Sequence, residues 1–471
     1  MAEWFKAHAW KACVGNTTVS SNLTLSATFL LAGAFEIYST VKTLLSISFC
    51  ALLGCKTLVA GSASEPQTLL ELDRWYEEPP AGQNAAVLYL MGFTAMHISD
   101  ADYESTNRPI IGKAKLPDSH EPLPAEMKAS IAEFVDSNWG AVRFFVQAAR
   151  QEKSRYPIDL TQGQMTMLPH LSKIKSAAQF LELFALSQAV TNDGAMSSKG
   201  ILTGLALAQS LDSEPVLISQ LVRVACVHIT VNGLEQVLNR VLLPPDFLSQ
   251  LQKVLMSCES REALGIGFTR AWVGERVTGL SSFNMSPEDY LEVPDAATLA
   301  EREKLTSEIK IMLAADRRLF ESTFAKVLAV RNEPFPSRLN QNVVFLRGST
   351  EATNKQFRLS SMFLPSLGNI SSKEAGCLAV LRLAQTAVAL EQFRATHDDH
   401  YPKSLRDLTP EFLNAVPTDP FDAQNLRYRK EGDGYTLYSV GQNLKDDKGK
   451  RLKQPDGDLV FSVMNPPKSK P

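Results

Sequence analysis

Cysteine is scarce, with six in 471 residues, and beyond residue 55 only Cys226, Cys258 and Cys377 remain. Their number is odd, their spacings are wide and no CxxC occurs, which excludes a zinc ribbon, a CxxC redox pair and a disulfide framework. Each reads as a small buried apolar residue. HExxH, GxSxG, GxGxxG and P-loop motifs are missing as well, so the chain carries no familiar catalytic or nucleotide signature. Nor does one sign of charge dominate: Lys plus Arg is 48 against 51 for Asp plus Glu, a formal net charge of −3. Without a long basic patch, nucleic acid is not an expected partner. Glycine and proline, 25 each, sit near ordinary abundance and rule out a collagen-like or disordered chain. What is present is 44% hydrophobic and 21% charged residues, sufficient for two or three domains with real cores.

Residues 1–27, MAEWFKAHAWKACVGNTTVSSNLTLSA, show neither hydrophobic period nor turn logic. Back-translated, Ala7–Cys13 can be spelled with CACGC and GCGTG, which pair as a stem. Thr18–Thr24 can be spelled with GTGAG facing CTCAC. An anticodon arm followed by a T arm resembles a bacterial serine tRNA gene read as codons, so residues 1–40 are expected to be a spurious extension. The expected start is Val41, followed by Lys42 and the apolar run Leu44–Gly54. That is a signal peptide over 41–63, too short to span a bilayer. Leu52-Leu53-Gly54-Cys55 resembles a lipobox, which makes Cys55 the lipidation candidate; cleavage after Gly61-Ser62-Ala63 is the alternative. Both imply an exported, periplasmic or envelope-associated protein that meets the membrane only through an anchor or signal segment.

From residue 64 to 365 helical periodicity dominates. Leu69–Tyr76, Asn84–His97, Ala125–Gln151, Lys173–Thr191, Ser197–Leu211, Pro215–Leu243, Asp246–Cys258 and Glu301–Val330 are expected helices. The Pro- and Lys-rich stretch Arg108–Pro124 is an expected exposed connection. Residues 173–211, with an Asn192-Asp193-Gly194 turn, resemble a single tetratricopeptide-like hairpin. The neighbours do not repeat it, so the expectation is an irregular all-helical domain.

The pattern changes at residue 366. A long helix over Ser372–His397 is followed by Pro-marked segments and then by alternating runs at Leu426–Arg429, Tyr435–Val440 and Leu459–Val463, which predict strands. Tyr401–Leu408, Pro417–Phe421, Leu426–Tyr428 and Gly434–Gly441 carry the YP-xSL-xxL, PxDPF, LRY and GYxLYSVG elements of type II secretion major pseudopilins. About 100 residues resemble the globular head of that family, and the resemblance implies a small α+β domain with a three-stranded antiparallel sheet over 366–471. It departs where pseudopilins carry an unbroken apolar helix, because Lys373, Glu374, Arg382, Gln385 and Glu391 interrupt this one. Packing into a filament through that helix is therefore not implied. The whole chain also resembles exported bacterial proteins that join such a head to a helical domain, a group from which no activity carries over. The fold class expected is mainly α: an irregular helical domain, then the small α+β unit.

Candidate chemistry is sparse. His170, after Pro169, stands where Asp159 and His228 can in principle approach; a capping or buried histidine is the plainer reading. Glu182 and Glu235 fall on expected helices and can pair with other carboxylates around a metal. Arg223 and Arg240 read as ion-pair partners, and Tyr156–Leu160 as a rigid structural tie. In the loop 443–458, Asn443, Asp446, Asp447, Asp456 and Asp458 offer hard oxygen donors of the kind Ca²⁺ takes, and pseudopilin heads often hold calcium in the corresponding loop. Lys445, Lys448, Lys450, Arg451 and Lys453 intervene, so a solvated mixed-charge loop competes with a metal site. No catalytic residue is assigned. The functional expectation is a non-enzymatic envelope interaction or scaffold protein with a protein partner. An extracytoplasmic hydrolase and an accessory of a type II secretion-like system are the alternatives.

Overall fold

Why the helices stop where they do is mostly written in their caps. The computed structural model describes residues 65–290, 298–352, 357–451 and 456–468; the segment 1–63, with Cys55, lies outside them. Leu69–Trp75 (α1) opens on a capping box between Thr68 and Glu71. Ala85–Ala95 (α2) is capped by Asn84, and Asp100–Glu104 (α3) by Ser99. The stretch expected as one helix over Ala125–Gln151 is two, Ala125–Ser137 (α4) and Trp139–Ala148 (α5). Asn138 makes the break: its side-chain oxygen accepts the His97 N–H at 2.6 Å and its amide donates to the Phe134 carbonyl at 3.0 Å. The connection expected to be exposed is instead partly built into the core, with Arg108, Ile111, Ser119 and Leu123 buried. The Arg108 guanidinium reaches Asp102 and the Ser130 carbonyl and stacks over Phe134.

The centre is a layer of three helices, His170–Val190 (α6), Gly194–Gln209 (α7) and Leu217–Leu238 (α8), packed mutually. Between α6 and α7 the chain turns through Asn192 at φ 64, and Asp193 accepts the Met196 N–H at 2.9 Å. Gly194 follows because a Cβ there would stand 2.1 Å from the Leu242 carbonyl oxygen. Pro245–Ala263 (α9) and Ile266–Ser281 (α10) come next, then the short Pro287–Tyr290 (α11). Leu299–Ala329 (α12), Ser337–Ala352 (α13) and Arg358–Leu367 (α14) complete this part. Asp316 of α12 fixes the start of α14 by accepting the Leu359 and Ser360 N–H groups at 2.9 and 3.0 Å.

Ile370–Thr396 (α15) is a 27-residue helix lying against α9 and α8 on one side and the sheet on the other. The sheet has order β1-β2-β3, from Arg427–Glu431 (β1), Gly434–Ser439 (β2) and Leu459–Val463 (β3), antiparallel throughout. Arg427 faces Tyr438 and Leu437 faces Phe461 in the two registers. A two-residue turn with Gly432 at φ 58 joins β1 to β2. The motifs noted in the sequence form one hydrogen-bonded unit. Asp419 of PxDPF accepts from Phe421 N–H, Val440 N–H and the Ser439 hydroxyl at 3.0, 2.9 and 2.9 Å, and pairs with Arg427. Tyr401 of the YP pair donates to Glu391 at 2.7 Å and packs edge-on against Tyr435.

The chain is thus mainly helical, 61% helix, with a small three-stranded antiparallel sheet near its C-terminal end. Packing is continuous across residues 365/366: the described residues from Pro66 onward belong to one compact unit, and a single apolar cluster runs from Tyr89 through Phe184 and Leu255 to Leu390 and Phe461.

Candidate functional site

Two polar centres each bring a histidine near a buried carboxylate. The first lies where α6 begins. His170, its first residue, places Nε2 at 3.1 and 3.0 Å from the two carboxylate oxygens of Glu214. The Ser219 hydroxyl donates to the same carboxylate, as does Tyr76 at 3.3 Å. Tyr76 also accepts the Tyr156 N–H at 2.9 Å, and the Tyr156 ring stacks on the imidazole with centroids 4.5 Å apart. Burial is nearly complete, with Glu214 and Ser219 at 0% exposure and His170 at 4%. Serine and imidazole here share one carboxylate. A hydrolytic relay instead runs from serine to imidazole to carboxylate, so this arrangement joins α1, α6, α8 and the 154–160 segment without activating a nucleophile. Asp159, offered by the sequence as a neighbour of His170, instead accepts from the Thr161 N–H and the Gln162 amide at the surface. The Tyr156–Leu160 segment is a structural tie, with the Leu160 N–H bonded to Asp73 at 3.2 Å.

The second centre is a half-open recess of about 230 Å³ between α8, α15 and β3. Val231, Val380, Leu383, Leu459, Val460 and Phe461 give it apolar walls; His228, Asn232, Glu235, Arg451 and Asp458 give it polar ones. The α8 residues converge because 228, 231, 232 and 235 share one helix face at i, i+3, i+4 and i+7 spacing. Glu235 is buried and accepts from the Ser119 and Ser462 hydroxyls, each at 3.1 Å, while pairing with Arg451. Asp458, also buried, accepts the Gly449 N–H at 2.7 Å and the Asp447 N–H at 3.4 Å. Burial, with Lys373 nearby, pushes the His228 imidazole down to about 4, so it is neutral at physiological pH. Neither the His228 nor the Asn232 side chain has a hydrogen-bond partner among the described residues.

Just below the recess, Asn239 at the end of α8 binds the open edge of β3. Its amide donates to the Ser462 carbonyl at 2.9 Å and its oxygen accepts the Met464 N–H at 2.9 Å. A side chain here occupies backbone groups that a fourth strand would otherwise pair.

The acidic loop spends its oxygens on its own amides. Asn443 Oδ1 accepts the Lys445 N–H and Asp446 the Lys448 N–H, at 3.0 and 2.8 Å. The Asn443 amide donates to Asp447 at 3.2 Å and to the Asp456 carbonyl at 3.0 Å. Asp458 turns inward to the recess rim. In this arrangement the five residues do not converge on a common point, and no group of three or more His, Cys, Asp or Glu stands ready for a metal among the described residues. Glu182 and Glu235 go separate ways: Glu182 packs beside Gly233, with its carboxyl pushed up to about 8 by burial. Arg223 is an ion-pair partner as read, 2.7 Å from Glu262. Arg240 is not; it binds the Gln236 and Glu121 carbonyls, both at 2.9 Å, and the Ser119 carbonyl. Glu214, Asn232 and Arg451 carried no signal by spacing. Their partners lie far along the chain, 44 residues for His170 to Glu214 and 216 for Glu235 to Arg451.

Compared with known proteins, the chain matches no family model, no curated protein and no solved structure.

Proposed function

We propose that this chain is a non-enzymatic interaction or scaffold module of a bacterial cell envelope, exported by its apolar leader and docking a protein partner at the recess between α8, α15 and β3. The supporting observation is the contrast in partnership at that place. The charges on the recess are matched within the chain, Arg451 to Glu235 and Asp458 to amide N–H groups, while His228 and Asn232 face open space over apolar walls. Asn232 is exposed and His228 half-buried, so their hydrogen-bonding groups stand at the mouth of the recess, available to a group of another molecule. Lipidation at Cys55 and service to a type II secretion-like system belong to the same reading, resting on the lipobox resemblance and the head motifs. Calcium held by Asn443, Asp446, Asp447, Asp456 and Asp458 would require Asn443, Asp446, Asp447 and Asp458 to leave the amides they now serve.

One observation favours the hydrolase alternative. A neutral His228 imidazole in the recess, on the same helix face as the Glu235 carboxylate, has the protonation state a general base needs. A photo-cross-linking residue in place of Lys373, beside the recess, separates the readings in native envelope fractions. Docking gives a discrete adduct at 373 that is missing from the same label at Lys304 on α12 and lost when Val460→Trp fills the recess. Equal labelling at 373 and 304 would overturn it.

A further inference from the structure

We propose that the recess receives one uncharged aromatic side chain from an extended segment of a partner protein, whose main-chain amide bonds to Asn232 and His228. This deepens the docking reading and rests on it. Size sets the first limit. At about 230 Å³ the recess lies below the roughly 300–1,000 Å³ of drug-sized pockets, and matches a single large side chain. Six apolar walls, one of them Phe461, favour an aromatic ring, which brings much contact area at the cost of ordering only two torsions.

Charge sets the second limit. A carboxylate entering the recess meets Glu235 and Asp458; an ammonium meets Arg451 and nearby Lys373. Each protein charge already has a partner or points to water, so an incoming ion would lose hydration without gaining a free counter-ion. An uncharged group avoids that cost. Hydrogen-bond capacity sets the third. The Asn232 amide offers a donor and an acceptor, and a neutral imidazole offers one N–H and one lone pair. A peptide unit presents the complementary N–H and C=O. Positions 228 and 232, one helical turn apart, lie about 5–6 Å from each other at Cβ, within reach of one residue's two main-chain groups.

The test uses the full chain and a defined probe, N-acetyl-4-fluoro-L-phenylalaninamide, followed by ¹⁹F line broadening. Saturable binding is expected with Kd on the order of a millimolar, as befits a fragment of this size. The probe's free-acid counterpart is expected to bind at least about fivefold more weakly, having a charge to desolvate. Asn232→Ala, at an exposed position, should weaken the amide probe about two- to tenfold, the worth of one hydrogen bond. Val460→Trp should abolish binding. Equal affinity for amide and acid, or affinity untouched by both variants, would overturn the proposal. Envelope cross-links at 373 without probe binding would retire the aromatic slot and leave the docking reading standing. Probe binding without cross-links would support the slot and remove its protein partner.

Discussion

The knot around His170 and the recess around His228 contain nearly the same inventory: an imidazole, a buried carboxylate and hydroxyls bonded to that carboxylate. They differ in partnership. In the knot Glu214 takes four contacts, from His170, Ser219 and Tyr76, and aromatic rings close over it. In the recess the carboxylate is matched but the imidazole and a neighbouring amide are not. Residue identity alone does not separate the two centres; burial and completeness of hydrogen bonding do.

The comparison breaks most visibly at Glu214. Glu214→Ala leaves His170, Ser219 and Tyr76 without their shared acceptor, and a loss of about 3–5 kcal/mol is expected on urea unfolding. Asn232→Ala, in the recess, should stay within about 0.5 kcal/mol. Comparable losses at the two sites would erase the distinction.

Next in size is a pH effect from Glu182. In the folded chain its carboxyl is pushed up to about 8 by burial, from an ordinary 4.5, so the fold prefers the protonated form. Below pH 4.5 the group is protonated in both states and costs nothing; as pH rises toward 8 the unfolded state alone gains by ionising. Stability should therefore fall over that window, by an amount on the order of a few kcal/mol. Burial also pushes Glu374 up to about 8 and Glu275 up to about 7. Glu182→Gln should therefore lessen, not abolish, the slope in stability measured by chemical denaturation at pH 5 and pH 8; an unchanged slope would assign it elsewhere.

A smaller effect sharpens the boundary between helices and sheet. Asn239→Ala removes the side chain that binds Ser462 and Met464, and about 1–2 kcal/mol should go with it. Amide exchange should quicken at Met464 before it does in β2. Uniform quickening across the sheet would mean that Asn239 is not what holds this edge. Calcium is the least. With the loop oxygens engaged by amides, millimolar calcium should add no more than about 0.4 kcal/mol, the value when ligand equals its Kd. A larger rise in Tm, erased by substituting Asp456 and Asp458 with Asn, would show that the loop rearranges into a calcium site.

The fold class was legible because its signals are local: helical period along 173–211, alternation along 435–440, and an EGDG turn between strands. The breaks and additions were less so. Asn138 ends α4 because it bonds to His97, 41 residues away, which no window of sequence contains. Arg108–Pro124 has the composition of a surface loop, yet Arg108 is buried by a contact with Phe134 on another element. Helices α10 and α13 escaped notice because they are weakly amphipathic; α14 is amphipathic but short, and Pro365 inside it reads as a helix breaker. At the candidate site, the sequence marks His228 and Glu235 singly, His228 as a neighbour of His170 and Glu235, like Glu182, as a carboxylate to pair around a metal, and leaves their shared face of α8 unread. Its meaning depends on β3, more than 220 residues later, and on how α15 lies between them.

That helix has a mechanical consequence. With 27 residues α15 is about 40 Å long, and it serves as the inner wall of both the helical layer and the sheet. A force applied to the C-terminal sheet is carried into the helices by sliding α15 along α9, which loads many side-chain contacts in parallel. Parting at a short linker would load them one at a time. A chain built on such a spine resists being pulled apart at its C-terminal sheet, and transmits the load to its helices as a rigid strut.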